Sequence, residues 1–212
     1  GSLNDYSVLI IPSGSAGRMA RELGDDGAAR LKAWVQEGGA VIGVGGAVGL
    51  LGRKELELTT VKEFTPDSTA AKDTTVTDAM RPAPPLPSPS APGGNKPEFI
   101  PGAIFRATLD RTHWLTGGYE RDQIPVFLET DNLLKASQKG ASPVVFTGAD
   151  LSLSGFTWPE NTEKHLRNSV WASVESSGSG SIILFAENPV YRGFWRGPSK
   201  LLTNAVLFGA NR

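Results

Sequence analysis

The chain has 212 residues, with 21 basic and 22 acidic side chains and a formal net charge of −1. This balance shows no charge pattern typical of nucleic-acid or anionic-membrane binding, and we expect neither partner. No apolar run approaches the roughly 20 residues that span a bilayer, and a chain without cysteine has no disulfide and no thiolate metal site. The length suits one α/β domain over residues 1–212. Residues 1–2, Gly-Ser, resemble a remnant of tag removal.

The first third of the chain predicts a strand, a helix and a second strand. Residues 6–11 form a short β-branched run that ends at a Pro-Ser-Gly turn. Asp25 or Asp26 offers a helix N-cap, and residues 28–35 carry apolar side chains at helical spacing before a Gly-Gly stop. A buried strand over residues 40–44 follows at once. This order is typical of a right-handed βαβ unit in a parallel sheet.

A glycine-rich turn follows that second strand and precedes an apolar helix start. In α/β hydrolases a strand–turn–helix of this kind holds the nucleophile on a strained elbow. Here Gly45 stands at the elbow and Gly46 follows it. Glycine carries no nucleophile, so the sequence predicts an elbow without a nucleophile and a domain that is not itself catalytic.

Residues 81–101 contain eight of the fifteen prolines, which excludes a helix or a central strand there. We interpret them as a surface loop insertion, with a proline-rich docking segment as the alternative. Further along the chain the pattern predicts strands, a closing hairpin and a final helix, over residues 102–110, 125–129, 143–147, 169–174, 181–186 and 198–209.

Five stretches of the chain, residues 6–14, 31–44, 101–110, 185–197 and 200–205, resemble the class I glutamine amidotransferase-like domain. The resemblance is closest to the version fused C-terminally to carboxypeptidase A-like zinc peptidases of bacteria. It implies a flavodoxin-like α/β fold, with a mostly parallel sheet, helices on both faces and a C-terminal β-hairpin. It also implies that one strand–helix unit of the fold precedes residue 6.

This sequence departs from the catalytic members of that family at two places. They carry a cysteine where Gly45 stands, and a His-Pro-Glu-like set where residues 185–189 read Phe-Ala-Glu-Asn-Pro. Nucleophile and triad histidine are therefore both missing, and Glu187 remains. We expect an accessory domain that packs on, or assists, its own upstream peptidase domain in the periplasm or outside the cell. Zinc is then expected only in that peptidase domain, and this domain needs no cofactor.

The two histidines of the chain do not form the zinc motif of such peptidases. Neither His113 nor His165 starts a His-x-x-Glu sequence, and two isolated histidines make a poor zinc site. We expect His113 in a turn and His165 exposed on a short helix.

Two groups of residues are candidates for binding. Small residues after the first strand offer successive N–H groups to an anion, and the ligand-binding candidates are Ser13, Gly14, Ser15, Arg18, Gly45 and Glu187. A tight crossover turn is the alternative for residues 13–18. Arginine and tryptophan are frequent at interface hot spots, which makes Arg192, Trp195 and Arg196 interface candidates. The alternative there is a loop that anchors the last helix.

Besides an enzyme with unrecognised chemistry, two functions remain open from the sequence. The first is the accessory domain just described, which takes a peptide or small ligand at most. The second is a free-standing module of amidotransferase-like fold that binds a sugar or an amino acid at the carboxyl ends of the strands.

Overall fold

The computed structural model describes residues 2–64, 97–158, 160–167 and 169–210. Most of the predicted proline-rich insertion, residues 81–96, lies outside these ranges. Within them no helix is long and apolar enough to cross a membrane.

The described residues form eight strands and four α-helices. The strands are β1 (Val8–Ile11), β2 (Ala40–Val44), β3 (Ala103–Leu109), β4 (Gln123–Leu128), β5 (Ala141–Val145), β6 (Ser152–Gly155), β7 (Val170–Ser177) and β8 (Gly180–Phe185). The helices are α1 (Ala16–Gln36), α2 (Ala47–Leu51), α3 (Thr162–Leu166) and α4 (Ser199–Phe208).

All eight strands join one mixed sheet in the order β1-β2-β8-β7-β5-β3-β4, with β6 beside β3. Only the β1–β2 and β2–β8 pairs are parallel. The other five pairs are antiparallel, so the predicted mostly parallel sheet is wrong. The reason lies in the connections. Parallel neighbours need long crossovers, whereas the strands from β3 to β8 follow one another through turns, a 3₁₀ turn and the five-residue α3.

The predicted helices on both faces of the sheet are present, as contacts along β2 and β8 show. A Cβ placed on Gly43 would lie 2.8 Å from Leu51 Cδ1 of α2. One placed on Gly209, after α4, would lie 3.1 Å from Ile183 Cδ1 and 3.3 Å from Ala40 Cβ. Residues 40 and 43 of a strand point to opposite faces, so α2 and α4 cover opposite sides. The buried core lies between the sheet and these helices.

The first helix is longer than predicted. It begins at Ala16 rather than at Asp25 or Asp26, because the Ser15 hydroxyl accepts the Arg18 N–H and caps it. Gly24 breaks the regular helix inside this span with a left-handed φ of 63°. The predicted segment is therefore the second half of α1, and the kink explains why its start looks like a helix N-terminus.

The C-terminal β-hairpin is confirmed. Strands β7 and β8 pair antiparallel from Ala172–Phe185 to Ser177–Gly180. Gly178, in the turn, has a left-handed φ of 59°. This hairpin places β8 between the parallel pair and the antiparallel part of the sheet.

Strand β3 is shifted along its neighbours, and this shift shapes the region above the sheet. Only Thr108 and Leu109 pair with β5, whereas residues 103–108 pair with β4. The β3–β4–β6 unit therefore projects beyond the edge where β2 and β8 end. The loop that follows β8 meets the end of β4 there.

Candidate functional site

The elbow region has the strand–turn–helix geometry that its sequence suggested. Strand β2 ends at Val44, Gly45 has a left-handed φ of 53°, and α2 begins after Gly46. The Gly45 N–H donates to the Phe185 carbonyl at 2.8 Å, which fixes the turn against the end of β8. The Val48 N–H donates to the Gly45 carbonyl at 2.9 Å and starts the helix.

Ser13, from the turn after β1, closes this elbow. Its hydroxyl accepts the Gly46 N–H at 3.3 Å. A Cβ placed on Gly45 would lie 2.5 Å from Ser13 Oγ and 3.0 Å from Ser13 Cβ. In hydrolases the N–H after the nucleophile is a donor of the oxyanion hole. Here that donor already has a partner inside the protein, and the space for a side chain on the elbow is taken.

This closure predicts a coupled pair of substitutions. Gly45→Ala alone is expected to lower the free energy of unfolding by about 1–3 kcal/mol, because its methyl group overlaps Ser13. In the background Ser13→Gly the same change is expected to cost at least about 1 kcal/mol less, since only the backbone strain of a positive φ remains. Urea denaturation of the four variants measures the coupling. Additive costs would contradict the closure.

The structure separates the predicted anion cradle into two parts. Ser13, Gly14, Gly45 and Gly46 lie together, with the Gly14 carbonyl against Gly46. Ser15 is used as the N-cap of α1.

Arg18 instead lines an apolar groove of about 810 Å³ between α1 and β1. The arginine does not line the elbow, and the turn acts as a crossover that closes it.

Glu187 connects two loops through hydrogen bonds. Its Oε1 accepts the Asn188 N–H at 2.8 Å and its Oε2 accepts the Glu129 N–H at 3.3 Å. Burial raises the pKa of the Glu187 carboxyl, although both hydrogen bonds lower it, and the Glu129 charge raises it further. The structure thus ties Glu187 to the end of β4. No hydrogen bond joins it to Ser13, Gly45 or Gly46 among the described residues.

The segment 190–196 combines an anchored side with an exposed side. Tyr191 stacks on Phe127 with ring centroids 4.1 Å apart, and its hydroxyl donates to Glu129 Oε2 at 3.2 Å. Arg192 has a left-handed φ of 50°, and its guanidinium lies 5.1 Å from the Tyr191 ring centroid. Phe194 is 64% exposed. Within the described residues no carboxylate lies within 4 Å of the Arg192 guanidinium.

Trp195 and Arg196 connect this segment to the last helix. The Arg196 carbonyl accepts both the N–H of Ser199 at 3.2 Å and its hydroxyl at 2.7 Å, at the start of α4. The Trp195 indole N–H is buried and has no partner among the described residues. Both predicted readings of the cluster therefore have support: the backbone anchors α4, and the side chains of Arg192 and Phe194 face solvent.

Two carboxylates, one within loop 58–64 and one beside it, were not identified from the sequence. Glu63 lies next to α2, since a Cβ placed on Gly49 of that helix would be 3.3 Å from Glu63 Oε1. Burial raises the pKa of Glu63, and the charge of Asp131 adds to the rise. Residues 55–78 have no clear periodicity, so nothing in the sequence marked this residue.

Glu175 is the second of these carboxylates, and it lies in the middle of the sheet. Its side chain has no solvent exposure. Its oxygens accept hydrogen bonds from the Ser137 hydroxyl at 2.5 Å, the Thr60 N–H at 2.9 Å and the Thr60 hydroxyl. Lys139 Nζ is 3.9 Å away. A charged residue in an otherwise uncharged, mostly buried strand was the available signal.

The histidines do not assemble a metal site. The described residues contain no cluster of three or more His, Cys, Asp or Glu side chains placed to hold a metal ion. His113 Nδ1 accepts the Leu115 N–H at 3.1 Å within a turn, as expected. His165 was expected to be exposed, and that prediction is wrong. It is 9% exposed and packs edge-on against Phe64.

Comparisons with known proteins show the fold. No family model matches the sequence, and no curated protein matches it. A cytoplasmic protein from Salmonella typhimurium is similar in structure, with a TM-score of 0.55 and 12% identity over 99% of this chain and 74% of that chain. A second cytoplasmic protein, from Salmonella typhimurium LT2, has a TM-score of 0.50 and 13% identity, over 98% of this chain and 73% of that chain.

A β-galactosidase from Rahnella sp. R3 gives a TM-score of 0.47 and 11% identity over 100% of this chain and 24% of that chain. At identities of 10–15%, matches of this kind indicate at most a shared fold. The chain is an α/β protein with a mixed sheet.

Proposed function

We propose that this chain is a non-catalytic, amidotransferase-like accessory domain of a bacterial zinc carboxypeptidase-like protein. It packs on the peptidase domain or assists it, in the periplasm or outside the cell. Zinc is held by the peptidase domain in this proposal, and this domain acts without a cofactor.

The observation that carries the proposal is the closed elbow. An acyl-enzyme mechanism needs a nucleophile, a base and donors for the oxyanion. Gly45 supplies no nucleophile, the segment 185–189 supplies no histidine, and Ser13 takes the Gly46 N–H. With all three parts missing or occupied, we expect the domain to act through its surfaces.

The surface that best fits a domain contact is the exposed side of segment 190–196. Phe194 and Arg192 each lie against the ring of Tyr191, whose hydroxyl donates to Glu129. A pre-ordered loop loses little entropy on binding, and exposed aromatic and arginine side chains are the commonest binding hot spots.

This proposal is tested in the whole parent protein with Arg192→Ala and Phe194→Ala. We expect hydrogen exchange at the domain contact to rise about thirtyfold or more, since hot-spot truncations cost about 2 kcal/mol or more. Arg167→Ala is the matched control, because Arg167 pairs on the surface with Glu163 at 3.6 Å. Unchanged exchange and unchanged peptidase kinetics would overturn the contact. Turnover of glutamine or ester substrates by this chain would overturn the non-catalytic role.

The second candidate is a free-standing module that binds a sugar or an amino acid. The observation in its favour is the aromatic platform of Tyr191 and Phe194, whose rings meet edge to face at 6.5 Å. Calorimetry with monosaccharides and amino acids separates the two functions. Saturable heat that disappears in Phe194→Ala supports the module, and a flat titration removes it.

A further inference from the structure

A second surface, formed by β3, β4, β6 and the turns that connect β3 to β4, carries a groove with three arginines. It has a volume of about 760 Å³ and is lined by Arg106, Arg111, Glu120, Arg121, Asp122, Gln123, Ile124, Pro125 and Leu153. We call it the arginine groove. It shares no lining residue with the elbow or with segment 190–196, so it is a separate site.

The strand pattern explains why this groove is open. Along β3, residues 103, 105, 107 and 109 are buried, whereas Ile104, Arg106 and Thr108 are half-buried. Arg106 faces Pro125 of the neighbouring strand in the register. Leu153 of β6, at the other side, is 43% exposed. The arginine therefore rises from an uncovered part of the sheet, with apolar side chains on both sides.

The arginines of this groove have no ion-pair partner within 4 Å in the part of the chain that the structure describes. Among the described residues, ion pairs within 4 Å join Arg53 to Glu55, Lys139 to Glu175 and Arg167 to Glu163, and none involves the arginine groove. Glu120 and Asp122 line the same groove without reaching a guanidinium.

Asp110 precedes Arg111 in the chain, but its carboxylate is engaged by Thr112. Oδ1 accepts the Thr112 N–H at 3.0 Å and the Thr112 hydroxyl at 2.6 Å. These bonds lower the pKa of Asp110 and hold its carboxylate in the turn.

Three guanidinium groups around one groove have a definite chemical preference. Each presents a planar fork of N–H donors that matches two oxygens of a carboxylate or phosphate. One such group on a surface is common, but three that share a groove and lack carboxylate partners favour an anion with more than one charged group.

We propose that the arginine groove binds a small anion with two or more carboxylate or phosphate groups. Arg106 binds one oxyanion at the floor, and Arg111 and Arg121 bind the second at one end. Glu120 and Asp122, which line the same groove, weaken the site for any anion by like-charge repulsion.

The proposal is tested by calorimetry on the whole chain with citrate, inorganic pyrophosphate and acetate as probes. Citrate or pyrophosphate is expected to bind and acetate is not, and the tighter of the two identifies carboxylate or phosphate as the preferred group. Arg106→Gln is expected to weaken binding about tenfold, the loss of one charge-assisted bond. Arg53→Gln, outside the groove, is the control and is expected to bind as the wild type does.

A second pair of variants gives a change of opposite sign. Glu120→Gln and Asp122→Asn are expected to tighten binding about threefold, because each removes a negative charge near the anion. Nonspecific loss of structure cannot tighten binding. The proposal is overturned if neither citrate nor pyrophosphate binds, if Arg106→Gln and Arg53→Gln bind equally, or if the two acidic variants bind more weakly.

Discussion

Replacing Glu175 with alanine is expected to lower the free energy of unfolding by about 3–4 kcal/mol, more than any exposed substitution in the chain. The change removes the acceptor of Thr60 and Ser137, two half-buried donors. It also removes the partner of Lys139. Urea denaturation at neutral pH measures the loss. Glu22→Ala, on the exposed face of α1, is the matched control and is expected to change little.

The same carboxylate predicts a pH dependence with a definite sign. Burial raises the pKa of Glu175, but hydrogen bonds from Ser137, Thr60 and Thr59 outweigh it and hold the pKa below its usual range. A lowered folded-state pKa gives stability that is present above the unfolded-state pKa and is lost as the pH falls through the folded-state value. Glu175→Gln should therefore flatten the acid side of the stability curve. An acid limb as steep as in the wild type would contradict this role.

Replacing Gly46 with alanine is expected to lower the free energy of unfolding by about 3 kcal/mol or more, because the added methyl group meets the Gly14 carbonyl oxygen. The obstacle is backbone, so no side-chain rotation relieves it. The turns after β1 and β2 must move apart, and the bond from the Gly46 N–H to Ser13 breaks with them.

Gly17→Ala is the matched control for this change. A Cβ on Gly17 has no atom within 4 Å, and the residue lies in the first turn of α1. Alanine is the better helix former there, so the control is expected to be neutral or to gain up to about 1 kcal/mol. Thermal unfolding of both variants measures the difference. Equal melting temperatures would show that the two turns do not need their close approach.

The parallel part of the sheet was predictable because its signals are local. Each of β1, β2 and β8 is a short β-branched run next to a glycine or proline turn. The Ser- and Gly-rich residues 176–180 before β8 indicate a hairpin turn in the sequence. Apart from the β7–β8 hairpin, the antiparallel pairs were not predicted. Residues 103–109 alternate between buried and half-buried positions, the pattern of an antiparallel strand with one uncovered face. The family resemblance favoured a parallel sheet and outweighed that local signal.

The site was predictable to the extent that it depends on one segment. Gly45 and Gly46 mark the elbow in the sequence alone. The closure of the elbow cannot be recognised in the sequence, because the hydrogen bond between Ser13 and Gly46 joins residues 33 positions apart. The Glu175–Thr60 bonds join residues 115 positions apart. Contacts across such distances depend on the strand order, which propensity and periodicity do not specify.

The contact between Ser13 and Gly45 also orders the substitutions by which this chain could gain a nucleophile. A cysteine introduced at position 45 while Ser13 remains would overlap that side chain, so the change is penalised before any chemistry begins. The reverse order, Ser13→Gly first, costs one hydrogen bond and frees both the space and the Gly46 N–H. One serine in a neighbouring turn thus hinders the gain of a side chain at position 45 by a single substitution.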